Sequence, residues 1–194
     1  MPAKDIQIHS VVACCNNGGI GFKGRLPWRL PKEMKYFKRI TTGEVEEFGG
    51  RRNAIIIGRK TWESIPKSFK PLKDRINIVI SRTLDKDCEG PDLVVNSLDE
   101  LIDLLHSKPW CDKINQVFNI GGNEIYKLIH NSQYCGKIFL TRVLADFQCD
   151  TFLENLDDNF TKLPTEGFPE VPQGIQMDKN DLQWKVEVYE KKTT

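Results

Sequence analysis

Residues 53–66 read NAIIIGRKTWESIP, and their reading decides the fold. Ile55, Ile56 and Ile57 follow one another without a polar break. β-Branched side chains favour extended backbone. A strand with one wet face alternates apolar and polar residues, whereas an unbroken apolar run fits a strand covered on both faces, as in a parallel sheet. Gly58 ends the run and a helical stretch is predicted over 60–65. Strand, glycine and helix in that order form one unit of an α/β fold.

The same alternation continues on both sides. Strands are predicted at IQIHSVVACC (6–15), INIVIS (76–81), DLVV (92–95) and QVFNIG (116–121). Helical patterns lie between them at 31–42, 97–107 and 122–130. Ser97 followed by Glu100 is a capping-box pattern that opens the second of these. KIFLTRVLA (137–145) and QWKVEVYEKK (183–192) are two further strands. A long connection with Pro and Gly joins them, and its residues 153–182 receive no assignment. The expected architecture is α/β: one domain over 1–194, with a central, mainly parallel twisted sheet, an antiparallel C-terminal strand and about four flanking helices. A chain of 194 residues can bury a sizeable core.

Net charge is +1, which argues against a nucleic-acid or membrane-surface partner. No apolar run reaches the length of a membrane span, and the N-terminal MPAKDIQIH lacks the apolar stretch of a signal peptide. A soluble cytoplasmic protein is expected. The six cysteines contain no C-x-x-C pair, and His9, His106 and His130 have no ligand spacing. Reduced thiols and no metal site are therefore expected.

Several glycine-bearing junctions invite a phosphate. GIGFKG at 19–24 fits G-x-G-x-x-G, but two prolines follow within seven residues in RLPWRLP, so no helix opens there. A loop covering a site is the better reading. Gly121-Gly122-Asn123 stands between a strand and a helix, where the backbone can approach an anion or merely turn tightly. Gly58-Arg59-Lys60-Thr61 and Ser81-Arg82-Thr83 end two other strands. Ligands of parallel sheets bind beyond the carboxyl ends of strands. Basic residues at such ends favour a polyanion, and a 2′-phosphate suits NADPH over NADH.

LPWRLPKEMKYF (26–37) raises a separate question. Pro31 suits a first helical turn. Glu33, Phe37 and Ile40 then share one face, with Lys32, Lys35, Lys38 and Arg39 elsewhere. A carboxylate on the buried face needs a partner. A lysine is one possible partner and a ligand the other.

Taken together, these motifs resemble the dihydrofolate reductase family nearly end to end. The residues that carry the likeness are Val11-Val12-Ala13, Ile20-Gly21, Leu26-Pro27-Trp28, Glu33 with Phe37, GRKTWESIP (58–66), PLKDR (71–75), Ser81-Arg82, Ile120-Gly121-Gly122 with Tyr126, Thr141-Arg142 and Asp150-Thr151-Phe152. The resemblance implies NADPH-dependent reduction of 7,8-dihydrofolate to 5,6,7,8-tetrahydrofolate, by hydride transfer to pterin C6 with protonation at N5. The product feeds one-carbon and thymidylate metabolism. It implies that Glu33 accepts two donors of the pterin edge, with a pKa raised by burial, that Thr141 supports that edge, and that Trp28 and Leu26 line the pocket and hold water. Val11, Val12, Met34, Phe37, Ser64, Ile65, Phe69, Leu72 and Ile120 are expected to wall the substrate, and Arg75 to grip its α-carboxylate. Ala13, Ile20, Gly21, Arg59, Lys60, Thr61, Ser81, Arg82, Gly121, Gly122, Asn123, Glu124, Ile125 and Tyr126 are expected to surround NADPH. The likeness also implies an adenosine-binding subdomain at about 43–108 and a monomer acting on a small molecule.

The chain departs from the pattern of the family it resembles at Met34, where animal members usually have Phe, at Phe69, where vertebrate members place an Asn, and at Asn96, where vertebrate members have an Arg near the 2′-phosphate. Two other readings compete: another reductase of this fold, of the riboflavin-synthesis type, and a non-catalytic NADPH-binding regulator. Glu33, Trp28, Phe37, Arg75 and Thr141 together argue against both.

Overall fold

The structure is a computed structural model that describes residues 6–43 and 49–193. The first five residues of the N-terminal stretch, and 44–48 of the expected subdomain, lie outside the described residues. Two compact units are formed, Met1–Ile8 with Thr41–Cys135, and His9–Ile40 with Gly136–Thr194.

The first unit is built on parallel strands. β3 (Arg52–Gly58) pairs in parallel with β4 (Ile76–Ile80) on one side and with β6 (Ile114–Asn119) on the other, and β4 pairs in parallel with β5 (Leu93–Val95). Ala54, Ile55, Ile56 and Ile57 are all fully buried, so both faces of β3 are covered, as the unbroken apolar run predicts. Ala54, Ile56, Ile78, Val95, Val117, Leu101 and Ile129 belong to one core cluster with the helices α3 (Leu98–His106) and α5 (Asn123–His130). Ser97 caps α3 as expected, its hydroxyl accepting from Glu100 N. The return bond is displaced by one residue: the Glu100 carboxylate accepts from Asn96 N at 2.7 Å. Two further helices are short, α2 (Arg59–Ser64) and α4 (Trp110–Lys113). α4 is a single turn started by Pro109 and brings the α-helices among the described residues to five, where about four were expected.

The second unit carries the antiparallel strands. β1 (Ile8–Cys14) neighbours β7 (Cys135–Val143), and β7 pairs antiparallel with the C-terminal β11 (Gln183–Lys191). Within the unassigned connection the chain forms β9 (Phe160–Leu163) and β10 (Gln176–Met177), and both pair with β11. β2 (Gly19–Gly21) pairs with β8 (Thr151–Phe152). Two- to four-residue strands of this kind show no alternation to read. The acid-bearing helix is α1 (Pro31–Thr42), with the bounds expected from its sequence. The α/β class is as expected, with parallel central strands and an antiparallel C-terminal strand. None of the six cysteines is in a disulfide, and among the described residues no helix is long and apolar enough to cross a membrane.

Candidate active site

α1 presents a buried side made of Glu33, Tyr36 and Ile40, at 6%, 2% and 6% exposure. Tyr36 takes the inner place expected for Phe37, which is half-buried. No cation forms an ion pair with Glu33 among the described residues, so the lysine alternative does not hold. Its Oε1 instead accepts the Thr141 hydroxyl at 2.9 Å. Thr141 is fully buried on β7. Burial pushes the Glu33 carboxyl up to about 7, the Thr141 hydrogen bond pulls it back in part, and the charge of Asp178 adds to the rise.

Asp178 was not foreseen. Its Oδ2 accepts from Lys32 N at 2.9 Å, Glu33 N at 3.1 Å and Trp184 Nε1 at 3.2 Å, and its Oδ1 from Lys179 N at 2.8 Å. A carboxylate from 145 residues away thus satisfies orphan donors of α1's first turn.

Around the acid, Trp28 is buried and sits edge-on to Phe147 at 5.5 Å. Its Nε1–H has no hydrogen-bond partner, and neither does the Tyr36 hydroxyl. Buried donors of this kind are normally satisfied, so the indole N–H points to a water or a ligand atom. Val11 and Val12 are buried on β1, Ala13 is half-buried, and Leu26 and Met34 are about half exposed at 50% and 48%. The G-x-G-x-x-G stretch opens no helix. Ile20 and Gly21 lie on β2, and Phe22 and Arg25 exchange two backbone hydrogen bonds in a tight turn. A Cβ at Gly19 would lie 2.3 Å from Cys149 Sγ, so the glycine is needed for close approach of that segment.

In the other unit the strand ends converge. Gly58 pairs with Ile80 and Ile80 with Val95, so the carboxyl ends of β3, β4 and β5 share one edge. Gly58 N donates to Gly121 O at 2.8 Å, which brings the β6 junction to the same edge. A Cβ on Gly122 would sit 2.7 Å from Thr61 Oγ1, and Gly121 has φ +96°. Both glycines are required by geometry here. Asn119 is fully buried and accepts from Gly121 N at 3.0 Å. α5 opens at Gly122 without a side-chain cap, and Asn123 Oδ1 is buried without a partner. Ile125 and Tyr126 are buried on α5 and Glu124 is exposed.

The basic residues divide. Arg59 Nη1 is taken by both Glu63 oxygens at 2.9 Å, one turn along α2, while Lys60 and Arg82 are exposed. The Ser81 hydroxyl accepts from Thr83 N and Leu84 N. Ser64 is exposed, Ile65, Leu72 and Ile120 are half-buried, and Phe69 is 67% exposed. Arg75 is buried at 6% exposure just before β4. Its Nε donates to Lys73 O and its Nη1 to Thr41 Oγ1 at 2.8 Å, so its guanidinium plane is fixed by the protein. Asn77, 1% exposed, braces the PLKDR loop through Leu72 N, Leu72 O and Arg75 O. Asn77 and Asn119 are polar residues inside apolar strand runs, and that irregularity is the sequence signal for both.

Comparison with known proteins agrees with this geometry. A family model described as dihydrofolate reductase matches residues 7–191. The dihydrofolate reductase of Gallus gallus is 44% identical over 187 residues, covering 95% of this chain and 96% of that protein. That of Bos taurus is 40% identical over 185 residues, covering 95% and 97%. The solved structure of Schistosoma mansoni dihydrofolate reductase superposes with a TM-score of 0.80 at 39% identity, covering 96% of this chain and 98% of that one.

Proposed function

Because the chain belongs to the dihydrofolate reductase family and so reduces dihydrofolate to tetrahydrofolate, we propose that its cofactor is NADPH and that Glu33 grips the pterin. The observation that carries this reading is Glu33 itself, a buried carboxyl with one hydroxyl partner and no cation. Desolvation without compensation is costly. Side-by-side N–H donors on a flat heterocycle supply the compensation, and a carboxylate accepts both at once. Thr141 then fixes the rotation of the carboxyl group, and the unpartnered Trp28 Nε1–H holds a water or a polar edge of the substrate.

The residues of the other unit fit a phosphate-bearing cofactor. The closely packed Gly58 and Gly122 and the uncapped start of α5 form a backbone cradle, and Lys60, Ser81 and Arg82 stand on the same strand edge for a 2′-phosphate. Bound there, NADPH would supply the hydride for pterin C6. The chain's own residues bind, orient and exclude water, and N5 receives its proton from solvent admitted beside Trp28. The reading includes an adenosine-binding subdomain at about 43–108 and a cytoplasmic monomer.

Arg75 provides the test. Its fixed fork suits a carboxylate remote from the reacting ring. Arg75→Leu is expected to raise KM for dihydrofolate by roughly tenfold or more while a pteridine without the glutamyl tail is reduced as by the unaltered protein. Equal loss with both substrates would show that Arg75 is structural. Absence of NADPH oxidation on adding dihydrofolate to the unaltered protein would overturn the reading altogether.

A further inference from the structure

α1 lacks a local cap, and the residue that supplies one comes from the tip of the β10–β11 hairpin. The tip is built to present Asp178. Met177 pairs with Gln183 and Asp178 N donates to Leu182 O at 2.8 Å, which closes the turn. Asn180 and Asp181 adopt positive φ inside it. Two further contacts bind the hairpin to α1. Lys32 Nζ donates to Met177 O at 2.8 Å, and Trp184 stacks on Tyr36 at 6.0 Å.

We propose that Asp178 is a positioning residue for Glu33: it locks the backbone of the acid through the Glu33 N–H and sets the charge that faces its carboxyl. An ordinary helix N-terminus favours an anion in its first turn. Here Asp178 takes the N–H groups of Lys32 and Glu33 and places its own negative charge in that position. Glu33 therefore sits at a helix start that opposes its ionisation. The other groups facing Glu33 add no positive charge. They are the Thr141 hydroxyl from β7 and the Tyr36 phenol from its own helix. The consequence is a site that holds a proton until donors of a ligand replace it. This inference rests on the reading of Glu33 as the group that grips substrate.

The experiment follows the ionisation of Glu33 directly, by carboxyl ¹³C chemical shift, with Glu33→Gln to assign the signal. Asp178→Asn keeps an acceptor for the helix N–H groups and removes the charge. The Glu33 midpoint is expected to fall by roughly one pH unit, and the pH profile of kcat/KM to move with it. Asp178→Glu, which keeps the charge, is expected to restore much of the original midpoint. Should Asp178→Asn fail to fold, Asp178→Ser gives a smaller neutral cap with the same expected shift. Ser97→Ala, which removes the cap of α3, serves as the control for simple loss of a helix cap and is expected to leave the midpoint unchanged. An unmoved Glu33 midpoint in a folded neutral variant overturns the proposal, as does an equal shift in the control. A midpoint that moves while the activity profile stays fixed supports the coupling and overturns the substrate role of Glu33 instead.

Discussion

Glu33 and Glu187 are equally buried, each 6% exposed, yet their carboxyl groups are driven in opposite directions. Glu33 is pushed up to about 7, whereas Glu187 is held down to about 2. Burial raises both. At Glu187 it is overcome by hydrogen bonds from Lys162 at 2.7 Å, Arg142 at 3.0 Å and Tyr189 at 2.9 Å, with Lys185 also 3.0 Å away. Neighbouring residues of β7 make the difference, because successive side chains of a strand point to opposite faces. Thr141 bonds to Glu33, and Arg142, the next residue, bonds to Glu187. A buried carboxylate already matched by protein cations belongs to the scaffold. One that meets only a hydroxyl and another carboxylate has no cation to offset its desolvation, which is the basis of the proposed substrate role of Glu33.

The largest expected effect breaks the comparison on the functional side. Glu33→Gln keeps shape and removes the charge that two donors require, so kcat/KM should fall by roughly a hundredfold or more. Activity within about tenfold of the unaltered protein would remove Glu33 from the site. Stability against pH should sharpen the contrast. A raised folded-state pKa contributes stability that is complete below the unfolded value of 4.5 and lost as pH rises through about 7. From one end of that window to the other the loss is about 3 kcal/mol at most. Glu187 runs the other way, contributing above 4.5 and losing its contribution as pH falls toward about 2. Denaturant titrations across pH should therefore lose their upper slope in Glu33→Gln and their lower slope in Glu187→Gln. If both variants alter the same limb, the assignment of opposite roles is wrong.

Glu187→Gln should cost about 1–2 kcal/mol at neutral pH, a buried partner removed from cations of which Lys162 and Lys185 are partly exposed to solvent. Its kcat/KM should stay within about twofold, and a larger drop would show that the two faces of β7 are not independent. The smallest effect belongs to Thr141→Val, which keeps volume and loses one hydrogen bond worth about 1 kcal/mol. It should reduce kcat/KM by about fivefold and move the Glu33 ionisation upward, since the lost bond favoured the anion. A downward movement would mean that the hydroxyl does not donate to Glu33.

The parallel strands were legible because Ile55–Ile57 and the INIVI run state their burial in composition alone. α1 and its acid were legible because helical spacing put Glu33 with apolar residues. The partners of the acid were harder. Thr141 came from resemblance, not from local pattern. Asp178 lies in a connection whose strands, such as Gln176–Met177, are too short to show a period, and nothing near it in sequence reveals that it caps a helix 146 residues earlier. Arg59 carries a pairing that one turn of helix does make readable: Glu63, four residues on, engages its guanidinium. Patterns within one turn or one strand can be read from the chain. Pairings between distant segments are set by topology and cannot.

The cap on α1 has a consequence for the order in which the protein is made. Glu33 leaves the ribosome 108 residues before Thr141 and 145 before Asp178. At translation rates of about 5–20 residues per second, the helix waits roughly 7–30 s for its closing carboxylate. The parallel strands β3, β4 and β5 are complete by Val95, and β6 by Asn119. The nascent chain can thus assemble these parallel strands while the acid is still unheld, and any chain broken off before Asp178 carries Glu33 without the carboxylate that caps its helix.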